Sequence, residues 1–317
     1  VLGTGIIANE MAQALEKMGK NLYAVANRTH EKAVEFAEKY GVQKVYDKIE
    51  DMFTDKETDI TYITTPHNTH IKFMIEALKN GKHVLCEKSI TLNSEELEEA
   101  VKIAKEKNLI LGEAMTIFNM PLYTELSEIV NSGKLGDVKM IQVNFGSYKE
   151  YDMSNRFFNR NLAGGALLDI GVYAISITRL FMTSKPDNVL SQVKYAPTGV
   201  DEQVGIIMMN KEQQMSTIAL TLHSKQPKRV VIACEKAYIE VLEYPRADKA
   251  KIVYTETGEI EEIEEGITAN ALQYELQNME ESVKTGINKM KLEYTIDVMD
   301  IMTKLRKEWG MTYPEEE

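Results

Sequence analysis

The chain has 317 residues, long for one compact core, so about two domains are expected. Its 37 Lys plus Arg against 49 Asp plus Glu give a net charge of −12, which without a dense basic block argues against nucleic acid; the cluster Lys225, Lys228 and Arg229 reads as a solvated turn. No run approaches the roughly 20 apolar residues that span a bilayer, and two distant cysteines, Cys86 and Cys234, give neither a disulfide framework nor a zinc spacing. A cytoplasmic protein is expected, with neither membrane nor nucleic acid as a partner. Val1-Leu2 runs straight into a glycine turn, whereas a strand usually has about five or six residues, so a few further residues are expected upstream.

In chain order, apolar spacing predicts a helix at 8–18, a strand at 22–26, a helix at 31–40 and a strand at 60–64. A helix at 71–80, a strand at 83–86, a helix at 94–107 and a strand at 110–113 continue the alternation. Asn93 is read as the N-cap of the helix at 94–107, with Glu96 completing a capping arrangement. This alternation implies a parallel sheet wrapped by helices over residues 1–117, an α/β domain. The pattern then changes. A helix at 122–131 ends at Gly133 and Gly136, and strands follow at 138–148, 189–195, 204–209, 215–222, 229–233 and 238–242. Hairpin turns are expected at 208–212 and 234–237, and helices at 167–181, 271–284 and 296–309. Residues 118–317 therefore read as an α+β domain on a mostly antiparallel open sheet, with one face covered by helices. The acidic run Glu315-Glu316-Glu317 reads as a frayed, solvated end.

Five constellations carry chemistry. Gly3-Thr4-Gly5-Ile6-Ile7-Ala8 sits at the first strand–helix junction, where a glycine turn lets a pyrophosphate approach and the helix directs N–H groups at it. That is the fingerprint of a Rossmann domain, with Ala8 in its third position. Where an acid would grip a ribose 2′-hydroxyl, the sequence has Ala26-Asn27-Arg28-Thr29; Arg28 suits a 2′-phosphate and favours NADP over NAD, although a solvated loop arginine is the plainer reading. Thr64-Thr65-Pro66-His67-Asn68-Thr69-His70 follows a buried strand at the edge where such sheets bind ligands. His67 and His70 lack companions for a metal site, so helix capping and cofactor packing are expected of them and no metal is assigned.

Cys86-Glu87-Lys88 ends another strand; near a positive nicotinamide the Lys88 ammonium would be disfavoured and drawn toward acid–base use, and Cys86 is read as a small buried hydrophobe. The fifth constellation is Gly164-Gly165-Ala166-Leu167-Leu168-Asp169-Ile170-Gly171-Val172-Tyr173. If the helix has begun by Asp169, that residue and Tyr173 share one face, and an acid and a phenol working with a lysine can bind a substrate hydroxyl and relay its proton. A glycine-capped helix with an acid near its N-terminus is the alternative. The dinucleotide is thus expected among Gly3, Thr4, Gly5, Ile6, Ile7, Asn27, Arg28, Thr65, Pro66, His67, Asn68, His70, Glu87 and Lys88.

Together with Ser132-Gly133-Lys134-Leu135-Gly136, these residues resemble the glucose–fructose oxidoreductase / inositol dehydrogenase (Gfo/Idh/MocA) family along essentially the whole chain. The Asp-x-Gly-x-Tyr form is most similar to its dihydrodiol dehydrogenase / xylose dehydrogenase branch. The resemblance implies an NAD(P)-dependent dehydrogenase of a sugar, cyclitol or dihydrodiol, in which Lys88 contacts cofactor and reacting hydroxyl, Tyr173 exchanges the proton and Asp169 orients the substrate. It also implies a homodimer or homotetramer formed through the open sheet. A non-catalytic dinucleotide-sensing regulator of the same fold is the alternative, and a cycling oxidoreductase that keeps its cofactor is a third. Three departures stand out. Ser89 replaces the proline after the lysine, so no cis peptide is expected there; Thr116 and Phe118 replace a Trp and an Arg near the cofactor; Ala163 replaces the first of three glycines.

Overall fold

The computed structural model describes residues 1–317 and forms two compact units, Val1–Met115 with Ala269–Leu292, and Thr116–Thr268 with Glu293–Glu317. Chain order alone would leave Ala269–Leu292 in the second domain. Its helix Ala271–Thr285 instead joins the core of the first unit through Leu272, Met279 and Met290.

In the first unit the strands Ile60–Ile63, His83–Glu87 and Leu111–Ala114 pair in parallel, as do Ala24–Val25 and Lys44–Val45. Leu2 bridges the two sets, pairing with both Ala26 and Ile63. The resulting order, 44–45, 24–25, Leu2, 60–63, 83–87, 111–114, is that of a Rossmann sheet. Leu2, Ile63, Val84, Leu85, Cys86 and Leu111 are all buried, each large side chain contributing roughly 1.5–3 kcal/mol. Helices Ile6–Lys17, His30–Tyr40, His70–Lys79 and Ser94–Glu106 form where spacing predicts them. Asn93 Oδ1 accepts from Glu96 N at 2.9 Å, and Glu96 Oε2 accepts from Leu92 N at 2.9 Å, one residue before the expected donor. The two-residue strand Lys44–Val45 and the helix Ile49–Thr54 went unpredicted because both are too short for a period.

The second unit is built on one eight-stranded sheet in the order 260–264, 249–254, 237–242, 226–234, 138–146, 215–221, 201–209, 188–195. Every pairing is antiparallel except that of Val138–Gly146 with Met215–Thr221. Alternation decides the faces: Val204, Ile206 and Met208 are buried, while Ile207 between them is exposed. Turns at the two expected hairpins join the strands. The predicted helix at 167–181 is two pieces, a π-helical turn Leu167–Gly171 running into the α-helix Val172–Phe181. By composition Arg160–Phe181 is apolar enough to cross a membrane, with mean hydropathy 1.3, but it is 78% buried, as a core element is.

Candidate active site

The first unit carries the glycine turn. Leu2 O accepts from Thr64 N at 2.9 Å and from Thr64 Oγ1 at 3.0 Å, which draws the loops after two strands together. Gly3 sits at φ +104°, and a Cβ there would lie 2.6 Å from Thr64 Oγ1, so this position requires glycine. Gly5 has open space where a Cβ would stand and caps helix Ile6–Lys17 with no side-chain bond; the first turn carries no acid. The positive helix end thus has no side-chain acceptor, and Ile6 beside it is 83% exposed. A pyrophosphate satisfies these conditions, so the residues fit a dinucleotide. Asn9, which no sequence signal marked, donates from Nδ2 to Thr4 O at 3.1 Å and Gly5 O at 2.9 Å and so holds the turn's carbonyls.

Asn27 Nδ2 donates to Thr29 O at 2.9 Å, shaping the loop after strand Ala24–Val25. Arg28 on that loop is exposed and engages no acid of the chain. The next loop begins at Thr65. Thr69 Oγ1 donates to Thr65 Oγ1 and to Pro66 O, both at 2.8 Å, closing the 3-10 turn His67–Thr69 that includes Asn68. The histidines are ties between loops, not the helix caps expected of them. His67 Nε2 lies 3.1 Å from Lys88 O. His70 is buried, with Nε2 2.7 Å from Thr65 O and Nδ1 3.0 Å from Ser89 O. Burial holds the His70 pKa below its usual value, against the pull of its carbonyl partners.

These ties fasten the end of strand His83–Glu87. The Lys88–Ser89 peptide is cis, contrary to expectation, although Ser89 replaces the proline. The backbone around it is held by both histidines and by Glu113, whose Oε1 accepts from Ile90 N at 3.1 Å. Lys88 is half-buried at the C-terminal edge of the sheet, as its position after the strand predicts. The Glu87 carboxylate accepts from the buried Tyr62 hydroxyl, and burial pushes that phenol's pKa well up. Cys86 is a fully buried thiol, its pKa also pushed up by burial.

The second unit carries the candidate acid and phenol. The helix has begun by Leu167, so Asp169 in its π-turn and Tyr173 in its first α-turn lie on one side. Asp169 is nearly buried, and an Arg156 guanidinium nitrogen lies 3.6 Å from its Oδ1, a residue the sequence did not single out. Tyr173 is half-buried, its ring 6.1 Å from that of Phe145. A Cβ at Gly171 would lie 2.9 Å from Leu220 Cδ1, so this glycine lets the helix lie close on strand Met215–Thr221. Gly164 is equally constrained, since a Cβ there would lie 2.7 Å from Arg156 O, while Ala163 adopts a left-handed φ of 52°, a conformation that favours glycine. Thr116 and Phe118 are buried within the second unit: Thr116 donates to Pro245 O, and Phe118 packs 5.8 Å from the Tyr294 ring.

The family model described as an oxidoreductase family with an NAD-binding Rossmann fold matches residues 1–115, and the GFO/IDH/MocA C-terminal domain matches 123–240. Trans-1,2-dihydrobenzene-1,2-diol dehydrogenase from Xenopus laevis is 28% identical over 99% of this chain and 98% of its own length; the enzyme from Homo sapiens is 26% identical over 100% and 98%. A 3-ketoreductase from Actinomadura kijaniata, solved with NADP and TDP-benzene, superposes with TM-score 0.85 at 18% identity over 96% of this chain and 95% of its own. Levoglucosan dehydrogenase with NADH and levoglucosan gives 0.84 at 17% identity, covering 96% of each. Nothing in these comparisons supports the non-catalytic alternative. With a glycine turn on a Rossmann sheet, a strand-end lysine, and an acid and a phenol on a helix over an open antiparallel sheet, the chain belongs to the GFO/IDH/MocA family of NAD(P)-binding oxidoreductases.

Proposed function

We propose that the chain is an NADP-preferring dehydrogenase that oxidises a secondary hydroxyl of a small polyhydroxylated substrate, or reduces the matching carbonyl. The observation that carries this reading is the placement of Asp169 and Tyr173 on one side of a helix that has begun by Leu167. The nicotinamide, when bound, accepts or supplies the hydride. Tyr173 exchanges the proton of the reacting hydroxyl, Lys88 donates a hydrogen bond to the same oxygen, and Asp169 orients the substrate. Arg28, exposed and engaging no acid, supports a 2′-phosphate and hence NADP. The full-length likeness to dihydrodiol dehydrogenases supports a trans-diol as the first substrate to test, ahead of sugars and cyclitols. Two free cysteines support a reducing, cytoplasmic setting, and the apolar open sheet face supports a homodimer.

Replacing Tyr173 with Phe, or Lys88 with Ala, is expected to lower turnover about a hundredfold or more, and in Tyr173→Phe cofactor affinity should stay nearly intact. Parent-like turnover in both variants would remove these residues from the reaction.

A further inference from the structure

The segment at 311–317 is tied into the second unit through the buried Met311 and Tyr313, although Glu315 and Glu317 are exposed as its composition suggests. Arg306 is 3% exposed and grips Glu316 with a fork, Nη1 to Oε2 and Nη2 to Oε1, each at 2.7 Å. Glu316 Oε2 accepts in turn from Tyr313 N at 2.8 Å, and the Arg306 guanidinium lies 4.7 Å from the Tyr313 ring centre. Arg160 Nε donates to Thr312 O at 2.8 Å, and its guanidinium pairs with Glu317.

This strap delivers one group inward. Tyr313 is fully buried, and its hydroxyl donates to Gly164 O at 2.7 Å. A second buried group reaches the same turn, for Asp201 Oδ2 accepts from Leu167 N at 2.6 Å. Between them stands Gly165 at φ +124°, where a Cβ would lie 2.1 Å from Asp201 Oδ1 and 3.5 Å from the Tyr313 hydroxyl. One turn on, Asp169 N donates to Gly165 O at 3.3 Å. A plain loop-to-helix passage is already served by backbone bonds, Gly164 N to Asn159 O at 3.0 Å and Gly165 N to Phe157 O at 2.9 Å. Burying a phenol and a carboxyl there as well is demanding, and burial pushes the Asp201 carboxyl up to about 7.

We propose that Tyr313 and Asp201 are positioning residues for the reaction, clamping the turn 164–167 from two sides and so setting where Asp169 and Tyr173 stand. The proposal rests on the reading of Asp169 and Tyr173 as the reacting pair. It makes the strap at 311–317 a positioning element that acts through Tyr313.

The test pairs amide hydrogen exchange with kinetics in Tyr313→Phe and Asp201→Ala, using NADP and trans-1,2-dihydrobenzene-1,2-diol. Exchange at Leu167 and Asp169 should rise about tenfold while strand Val138–Gly146 keeps its protection. Turnover, kcat, should fall about tenfold with KM for NADP unchanged. Asp201→Asn, which keeps an oxygen facing Leu167 N, should recover most of the loss, as general destabilisation would not. Unchanged exchange in both variants overturns the proposal, and so does faster exchange with parent-like kcat. A parent inert toward the diol counts against the functional reading instead, and exchange at Leu167 and Asp169 then decides for or against the clamp.

Discussion

Gly3 and Gly5 stand two residues apart in one turn and are glycine for different reasons. At Gly3 the chain itself forbids a side chain, through φ +104° and Thr64 Oγ1. At Gly5 the backbone is ordinary, φ −73°, and no atom of the chain lies within 4 Å of a Cβ. Gly5→Ala should therefore leave the melting temperature nearly unchanged and weaken NADP binding about tenfold or more, because a methyl intrudes only where a pyrophosphate must approach. Titration calorimetry beside a thermal melt checks this; undiminished affinity would place the pyrophosphate elsewhere. The fingerprint was legible in the sequence because its spacing repeats a backbone requirement. Asn9, Arg156 and Tyr313 were not, since single polar residues acquire meaning only from the distant atoms they reach.

Elements were legible in proportion to their length and the regularity of their pattern. Helices such as Ser94–Glu106 announced both cap and period, whereas the strands Lys249–Tyr254 and Ile260–Glu264 went unpredicted. Lys249, Lys251, Glu262 and Glu264 on these strands look like loop composition; paired across the sheet they form ion pairs that protect an edge. The break of the helix at 167–181 into a π-turn was also illegible, because a single turn of five-residue spacing, Leu167–Gly171, is too short to leave a mark in the pattern. The open face of the sheet carries a further expectation. Met215 pairs with Met209 and Met140, and Leu190 pairs with Ile207; Met140, Met215, Leu190 and Ile207 are exposed and form an apolar row on one face. Ile207→Glu should convert a dimer to monomers in sedimentation velocity, with near-UV spectra unchanged. A parent that sediments as a monomer at micromolar concentration would dismiss this face as the contact.

At the scale of the molecule, the candidate residues fall in two units. The glycine turn, Arg28 and Lys88 belong to the first; Asp169, Tyr173 and the proposed clamp belong to the second. The alternation of strands and helices over the first hundred-odd residues made the Rossmann unit readable. The return of Ala269–Leu292 to that unit was not, because nothing in an amphipathic helix names the core it joins. The candidate residues of each unit could nevertheless be picked out, since each sits at a strand end or a helix start that the pattern located. The central claim, that this chain is an NADP-linked dehydrogenase of a hydroxylated substrate, is tested most directly by following NADP and NAD reduction over trans-dihydrodiols, pentoses, hexoses and cyclitols. The account predicts turnover of at least one of these substrates, with kcat/KM for NADP about tenfold or more above that for NAD. Cofactor binding without turnover of any substrate, or a preference for NAD, would contradict it.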